Sequence, residues 1–434
     1  MTVAPASSEP LEVLCYFLHR YLSFRLQEVE SLAVAAGYGR GLSWTPPEGG
    51  SEDSPFWRLA LPCEAAAAAI CARSVLVKAL LEVWGEGATL DECVAATLSF
   101  PGAPQACAGR TLSESPCPEG RRSAYLAADT TFKVVVDGFG CHHSMGRQQE
   151  VLDAFIGVPF LGRVDLKAPQ HEFWVIEVAR CGGAPGEAGL PPCSPRWFFG
   201  RLLGRGNRSP LSTLDLRHRR YLGPTSMDTE VAMLMCAQGL VGPGKLVFDP
   251  FAGTGSILQA AASRGAMVMG ADIDVRVLRD GKDDACALKA ARVRRRRPAP
   301  LHAAAAEAEA EAEEARAEEP AGEVERVNVW TNFRDARLPL PLALLHADLA
   351  ALPFRPGLVG WLHAVVCDPP YGVRAGGRRG GGRKKDENGE AFAVPPHLRH
   401  NHIPSTEFYP LDDCLADLLD ASAQALVPGG RCVE

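Results

Sequence analysis

One stretch of eighteen residues leaves this chain few folds to choose from. It runs Lys245-Leu246-Val247-Phe248, then Asp249-Pro250-Phe251-Ala252-Gly253-Thr254-Gly255, then Ser256-Ile257-Leu258-Gln259-Ala260-Ala261-Ala262. The first part predicts a short buried strand, the last a helix, and two glycines sit between them. Strand, glycine turn and helix form the ligand-binding corner of a doubly wound α/β sheet. Glycines let the backbone pass close to a bound molecule, and the helix start presents free N–H groups. The next predicted strand, residues 267–271, ends in Asp272-Ile273-Asp274. An acid there is placed to accept both hydroxyls of a ribose, and the sequence leaves Asp272 and Asp274 open as the candidate. A dinucleotide fingerprint would need a third glycine. Here G-x-G runs straight into Ser256, which argues against a pyrophosphate on the helix terminus.

A second motif narrows the chemistry. The apolar run His363-Ala364-Val365-Val366-Cys367 predicts a buried strand, and Asp368-Pro369-Pro370-Tyr371 follows it. The amine on a nucleobase is a poor nucleophile, because its lone pair is delocalised into the ring. Asp368 can accept one of its N–H bonds and the Pro369 carbonyl the other. Pro369 and Pro370 stiffen the backbone, so these acceptors are set before a substrate arrives. Tyr371 offers a ring face on which a base can stack. The same tetrapeptide also suits a plain strand followed by a Pro-Pro turn. Between the two motifs, residues 342–347 predict a third strand, followed by Asp348. Asp348 can accept an adenine amino group; a loop acid capping the next turn fits that place equally. Asp249, Phe251, Gly253, Gly255, Asp272 and Asp348 together point to S-adenosylmethionine as cofactor, with Asp368, Pro369, Pro370 and Tyr371 as the catalytic set.

Charge at first argues against a nucleic-acid substrate, since the formal net charge is -7. Residues 301–320, however, hold seven glutamates and one arginine, which is -6 within that tract alone. The remaining basic residues cluster. Arg196, Arg201, Arg205, Arg208, Arg217, Arg219 and Arg220 form one group, and Arg374, Arg378, Arg379, Arg383, Lys384 and Lys385 another. The second follows Tyr371 closely, where a loop can grip phosphates beside a target base. Charge runs are also ordinary solvated surface. The Ala/Glu tract, part of an insertion near residues 298–326, has strong helix propensity and no apolar face, which predicts a solvated helix or a disordered insertion.

No apolar run approaches the roughly 18–20 residues of a membrane span, and the first ten residues lack the pattern of a secretory signal. The 14 cysteines include no C-x-x-C pair, which predicts free thiols in a reducing compartment and a cytoplasmic location. Cys141-His142-His143 contains metal-ligating residue types. Adjacent residues rarely bind one ion together, and no metal site is assigned.

The chain divides near residue 215. Residues 11–98 predict strand (11–18), helix (25–36), strand (56–61) and helix (64–83), an α+β unit of ferredoxin-like type. Residues 123–216 predict a second α+β module, with strands at 131–136 and 172–177 and a helix at 147–155; residues 182–195 are loop-like. Residues 217–434 carry the α/β sheet.

Several stretches resemble the catalytic subunit of the eukaryotic tRNA guanosine-10 2-amino methyltransferases. They are Phe24-Arg25-Leu26-Gln27-Glu28-Val29, Ser54-Pro55-Phe56-Trp57, Leu166-Lys167-Ala168-Pro169-Gln170-His171, Tyr221-Leu222-Gly223-Pro224-Thr225-Ser226-Met227-Asp228, the Asp249 glycine motif, and Asp368-Pro369-Pro370-Tyr371-Gly372-Val373-Arg374. The methyltransferase motifs fit many amino methyltransferases; the N-terminal matches narrow the choice. The resemblance implies a Rossmann-like class I methyltransferase sheet at 217–434. It also implies a THUMP-type RNA-binding module at 123–216, methylation of the 2-amino group of guanosine 10 in tRNA, and a small zinc-binding activator subunit. The family continues beyond Val433-Glu434 with an antiparallel hairpin, so the sheet is expected to be C-terminally truncated. Two alternatives stand beside this reading: a tRNA-binding protein without turnover, and an amino methyltransferase acting on another amine.

Overall fold

The computed structural model describes residues 10–47, 52–99, 122–179, 194–223, 226–279, 327–355, 357–371, 377–381 and 405–434. The chain forms two compact units, residues 1–207 and 208–434. The Ala/Glu insertion lies outside the described residues.

The first unit is built on one eight-stranded sheet. Its strands are β1 (Leu11–Phe17), β2 (Ser43–Thr45), β3 (Phe56–Leu61), β4 (Val77–Gly87), β5 (Thr131–Phe139), β6 (Arg163–Val164), β7 (His171–Val178) and β8 (Arg196–Arg205), in the order β2-β3-β1-β4-β8-β7-β5-β6. Strands from residues 11–98 and from residues 123–216 thus lie in a single layer, joined by the antiparallel β4–β8 pair. Helices Arg25–Ala35, Glu64–Cys71, Leu90–Leu98 and Met145–Ala154 belong to this unit. Strand alternation gives β7 two buried faces. Trp174 and Ile176 join Leu14, Tyr16, Phe56 and Phe198 on one side, while Phe173 and Val175 join Trp84, Val151, Phe155 and Phe199 on the other.

Two sequence expectations fail in this unit. Residues 64–83 were expected to be one helix, but the helix stops at Cys71 and β4 begins at Val77. The buried Glu28 carboxylate accepts the Ser74 hydroxyl at 2.6 Å and the Val75 and Leu76 N–H groups at 2.7 and 3.1 Å. These bonds take backbone donors that a continuing helix would need, and the Val77-to-Trp84 run then enters the middle of the sheet. Alanine and leucine carry helix propensity, but tertiary partners override it. Strand β8, in turn, arises from residues read only as part of a basic cluster. Arg201 is buried there, with Nε 3.0 Å from Glu82 and Nη2 2.7 Å from Glu64.

The second unit holds a five-stranded sheet of β9 (Leu246–Asp249), β10 (Met267–Asp272), β11 (Ala343–His346), β12 (Leu362–Val366) and β15 (Leu426–Val433). The order is β11-β10-β9-β12-β15 and every pairing is parallel. Chain order reverses at β9, which makes the crevice between β9 and β12 the switch point where ligands bind in such sheets. Helix Ser256–Ser263 connects β9 to β10, and helix Leu411–Ala425 precedes β15. Pro428-Gly429-Gly430 falls inside β15, where the register with β12 shifts and Gly429 takes φ 80°. A two-stranded ribbon, β13 (Arg378–Gly380) with β14 (Thr406–Phe408), completes the unit. No helix among the described residues is long and apolar enough to cross a membrane.

Candidate active site

Because all five strands run the same way, the predicted site residues gather at one edge of the sheet. Asp249 and Asp272 end β9 and β10, Asp348 follows β11, and Asp368 follows β12. Register pairs Gly270 with Asp249 and Val365 with Phe248, so the glycine turn and the Asp368 segment leave neighbouring strands side by side. Asp249 is buried, and its Oδ1 accepts the Phe251 N–H at 2.9 Å. Burial pushes its carboxyl up to about 8; the Phe251 N–H opposes the shift, and the nearby Asp272 and Asp368 charges add to it.

The glycines have definite work in the turn. Gly253 and Gly255 take φ 50° and 82°, a left-handed backbone that other residues resist. A Cβ on Gly255 would stand 2.8 Å from Val329 Cγ1 of helix Val329–Asp335, whereas one on Gly253 would meet nothing nearer than the Phe251 carbonyl at 3.8 Å. The turn is therefore packed from below at Gly255 and open at Gly253, the cradle a ligand's backbone-sized edge requires. Phe251 is half-buried against the core under the sheet edge.

Asp272 supports the turn directly. Its Oδ2 accepts the Gly253 N–H at 2.9 Å and its Oδ1 the Asp274 N–H at 2.8 Å. Asp274 instead holds Arg276 in a paired contact at 2.8 and 2.9 Å. Of the two acids left open by the sequence, Asp272 is the one bonded to the glycine turn.

Asp348 caps the short turn that follows it, accepting the Ala350 N–H at 3.1 Å, and also accepts the Gly380 N–H of β13. Of the two uses predicted for this position, the capping acid is the one these contacts display. Asp368 is half-buried, while the Tyr371 ring is 59% exposed and free to present a face. Burial, and after it the neighbouring Asp368, push the Tyr371 phenol up to about 12. Gly377 brings the chain back beside the motif: a Cβ there would lie 2.7 Å from the Tyr409 carbonyl and 3.6 Å from the Pro370 ring.

The two basic clusters fare differently. In the first, Arg201 pairs with Glu82 and Glu64, Arg208 with Glu230, Arg217 with Asp215, and Arg220 with Asp335. Arg219 is buried, donating to the Leu214 carbonyl and, at 2.6 Å, to the Ser256 hydroxyl. Arg205 likewise pairs with Glu172, and the buried Arg201 and Arg219 build the fold. In the second, Arg378 is exposed and donates to Thr406, and Arg379 pairs with Glu407 at 2.9 Å and Asp413 at 3.5 Å. Arg374, Arg383, Lys384 and Lys385 lie outside the described residues.

Sequence reasoning missed the clamp that fixes the turn from outside. Asn332 accepts the Tyr221 N–H at 3.1 Å and donates to the Tyr221 carbonyl at 2.8 Å, and the Ser226 and Thr254 hydroxyls meet at 2.9 Å. The Tyr221-to-Asp228 stretch was noticed as a resemblance, but nothing in it signalled a partner about 110 residues away.

Residues 11–99 match the family model described as the Tmrp11 THUMP N-terminal domain, and residues 217–384 the one described as the RMKL-like methyltransferase domain. The chain is 30% identical to the tRNA (guanine(10)-N(2))-methyltransferase TRMT11 of Homo sapiens over 97% of this chain and 78% of that protein. It is 28% identical to the tRNA (guanine(10)-N(2))-methyltransferase of Saccharomyces cerevisiae over 96% and 82%. The crystal structure of TrmN from Thermus thermophilus aligns over 84% of this chain and 80% of that one, at 19% identity and a TM-score of 0.31.

Proposed function

The chain belongs to the tRNA (guanine(10)-N(2))-methyltransferase family, and from that premise we propose that it methylates the exocyclic 2-amino group of guanosine 10 in tRNA, using S-adenosylmethionine. The observation that carries this reading is the meeting of the Asp249 glycine turn and Asp368-Pro369-Pro370-Tyr371 on adjacent parallel strands. The bound cofactor supplies a methyl group activated by a positively charged sulfur. Gly253 and Gly255 let the backbone approach it, Asp272 accepts the ribose hydroxyls and Asp348 the adenine amino group. Asp249 shapes the floor of the turn and Phe251 its wall.

Guanine is turned out of its helix and stacks on Tyr371. Asp368 and the Pro369 carbonyl each accept one N–H of the amine and aim its lone pair along the line of displacement; Pro370 keeps that carbonyl fixed. The N-terminal unit binds the tRNA body, and Arg378 and Arg379, with Arg374, Arg383, Lys384 and Lys385, contact phosphates beside the target base. The match to a THUMP N-terminal model supports the first of these assignments.

A small zinc-binding activator subunit completes the enzyme. Exposed Leu340, Leu342 and Met267 beside the edge strand β11 support a partner of this kind. The described cysteines are free thiols, which supports a cytoplasmic location, to be checked by cell fractionation. The central test is transfer of labelled methyl to an unmodified tRNA transcript, with and without the activator, followed by mapping of the product base. Methyl on the 2-amino group of guanosine 10 is expected. Methyl on another base, or tRNA binding with no transfer in either preparation, would overturn the proposal.

A further inference from the structure

Away from the methyl-transfer site, the N-terminal unit gathers a thiol, an imidazole and a carboxylate. One donor atom each from Cys141, His143 and Glu177 lies within 4.8 Å of the other two. Cys141 and His143 stand on the turn that leaves β5, and Glu177 stands on the neighbouring parallel strand β7, opposite Gly138. The His143 side chain is 5% exposed and that of Glu177 24%. His143 Nε2 is 2.6 Å from Glu177 Oε2, and Cys141 Sγ is 3.8 Å from the Glu177 backbone carbonyl.

Gly138 shows that the cluster needs room. A Cβ at that position would stand 2.8 Å from both Cys141 Sγ and His143 Cε1. Any side chain there would push the two donors off their shared point. The sequence motif Cys141-His142-His143 looked unsuited to one ion because its members are adjacent. The strand layout changes that: it uses residues two apart, leaves His142 out, and adds an acid from another strand.

We propose that Cys141, His143 and Glu177 bind one zinc ion. Sulfur, imidazole nitrogen and carboxylate oxygen are the donors zinc accepts, whereas calcium and magnesium take oxygen donors alone. Bond lengths of about 2.0–2.3 Å place tetrahedral donors roughly 3–4 Å apart, so small side-chain rotations close the present spread. Three protein donors leave a fourth position for water. The ion takes the place of the thiol proton of Cys141, so binding releases a proton. It ties the turn after β5 to β7 and so anchors the start of helix Met145–Ala154.

The test uses the full chain, stripped of metal and titrated with cobalt(II) as a coloured stand-in for zinc. One equivalent is expected to bind with an intense thiolate-to-cobalt absorption band. Cys141→Ser is expected to lose the band and Glu177→Gln to weaken binding at least about tenfold. Both substitutions keep side-chain size, and circular dichroism confirms the fold; His143→Gln gives a second measurement of the same site. Cys63→Ser, elsewhere in the unit, is expected to keep the band. The absence of a stoichiometric band in the wild type, or its survival in Cys141→Ser, overturns the proposal.

Discussion

Asp368 and Asp249 are both aspartates at strand ends, yet their surroundings give them different tasks. Asp368 is half-buried just past the end of β12, which suits a group that orients a substrate amine. Replacing it with alanine is expected to lower methyl transfer by at least about a hundredfold, the scale of lost positioning, while cofactor affinity measured by calorimetry stays near wild type. Near-normal turnover in Asp368→Ala would remove it from the catalytic set. Asp249 is buried, and its carboxyl is raised to about 8. A carboxyl raised above its unfolded value of about 3.9 holds its proton in the fold and stabilises it fully at low pH. That contribution is lost as pH rises through about 8. Urea midpoints of the cofactor-free protein are therefore expected to fall over that window, and Asp249→Asn to flatten the slope. The spacing of Asp249, Asp272, Asp348 and Asp368 after apolar runs was legible in sequence. The proton on Asp249 was not, because burial is a property of the packed sheet.

At the scale of elements, the glycine turn and residues 64–87 behave in opposite ways. The turn was readable because positive φ at Gly253 and Gly255 is a local demand that glycine meets. Gly255→Ala adds a Cβ at 2.8 Å from Val329 as well as backbone strain, so loss of cofactor binding is expected, measurable by fluorescence or calorimetry. Residues 64–87 misled sequence reasoning because alanine and leucine favour a helix wherever nothing competes. Glu28 competes, with three hydrogen bonds from about 46 residues away. Glu28→Ala leaves those buried donors unpaired and is expected to cost about 3 kcal/mol in urea unfolding, with the N-terminal unit affected first. A change within about 0.5 kcal/mol would mean that β4 is held by packing alone.

Across the whole molecule, charge matters by position and not by sum. The net value of -7 hides arginines of two kinds. Arg378 is exposed in the ribbon beside the site, and Arg378→Ala is expected to weaken tRNA binding and reduce the salt slope of affinity by about one. Arg201 is buried between Glu82 and Glu64, so Arg201→Ala is expected to lower the unfolding midpoint, with any loss of tRNA binding tracking the loss of folded protein. A filter-binding salt series on both variants, with thermal melts, separates the two roles.

The amino-acid sequence by itself determined the parallel catalytic sheet, its glycine turn and the identity of the acids at its strand ends, because each rests on short-range rules of apolar runs and backbone freedom. Only the tertiary structure decided that the two N-terminal ranges share one layer, that Arg201 of the first cluster is buried between two glutamates, and that Tyr221 is clamped by Asn332. Each of these depends on partners tens to more than a hundred residues distant, and no local pattern records which buried charge meets which.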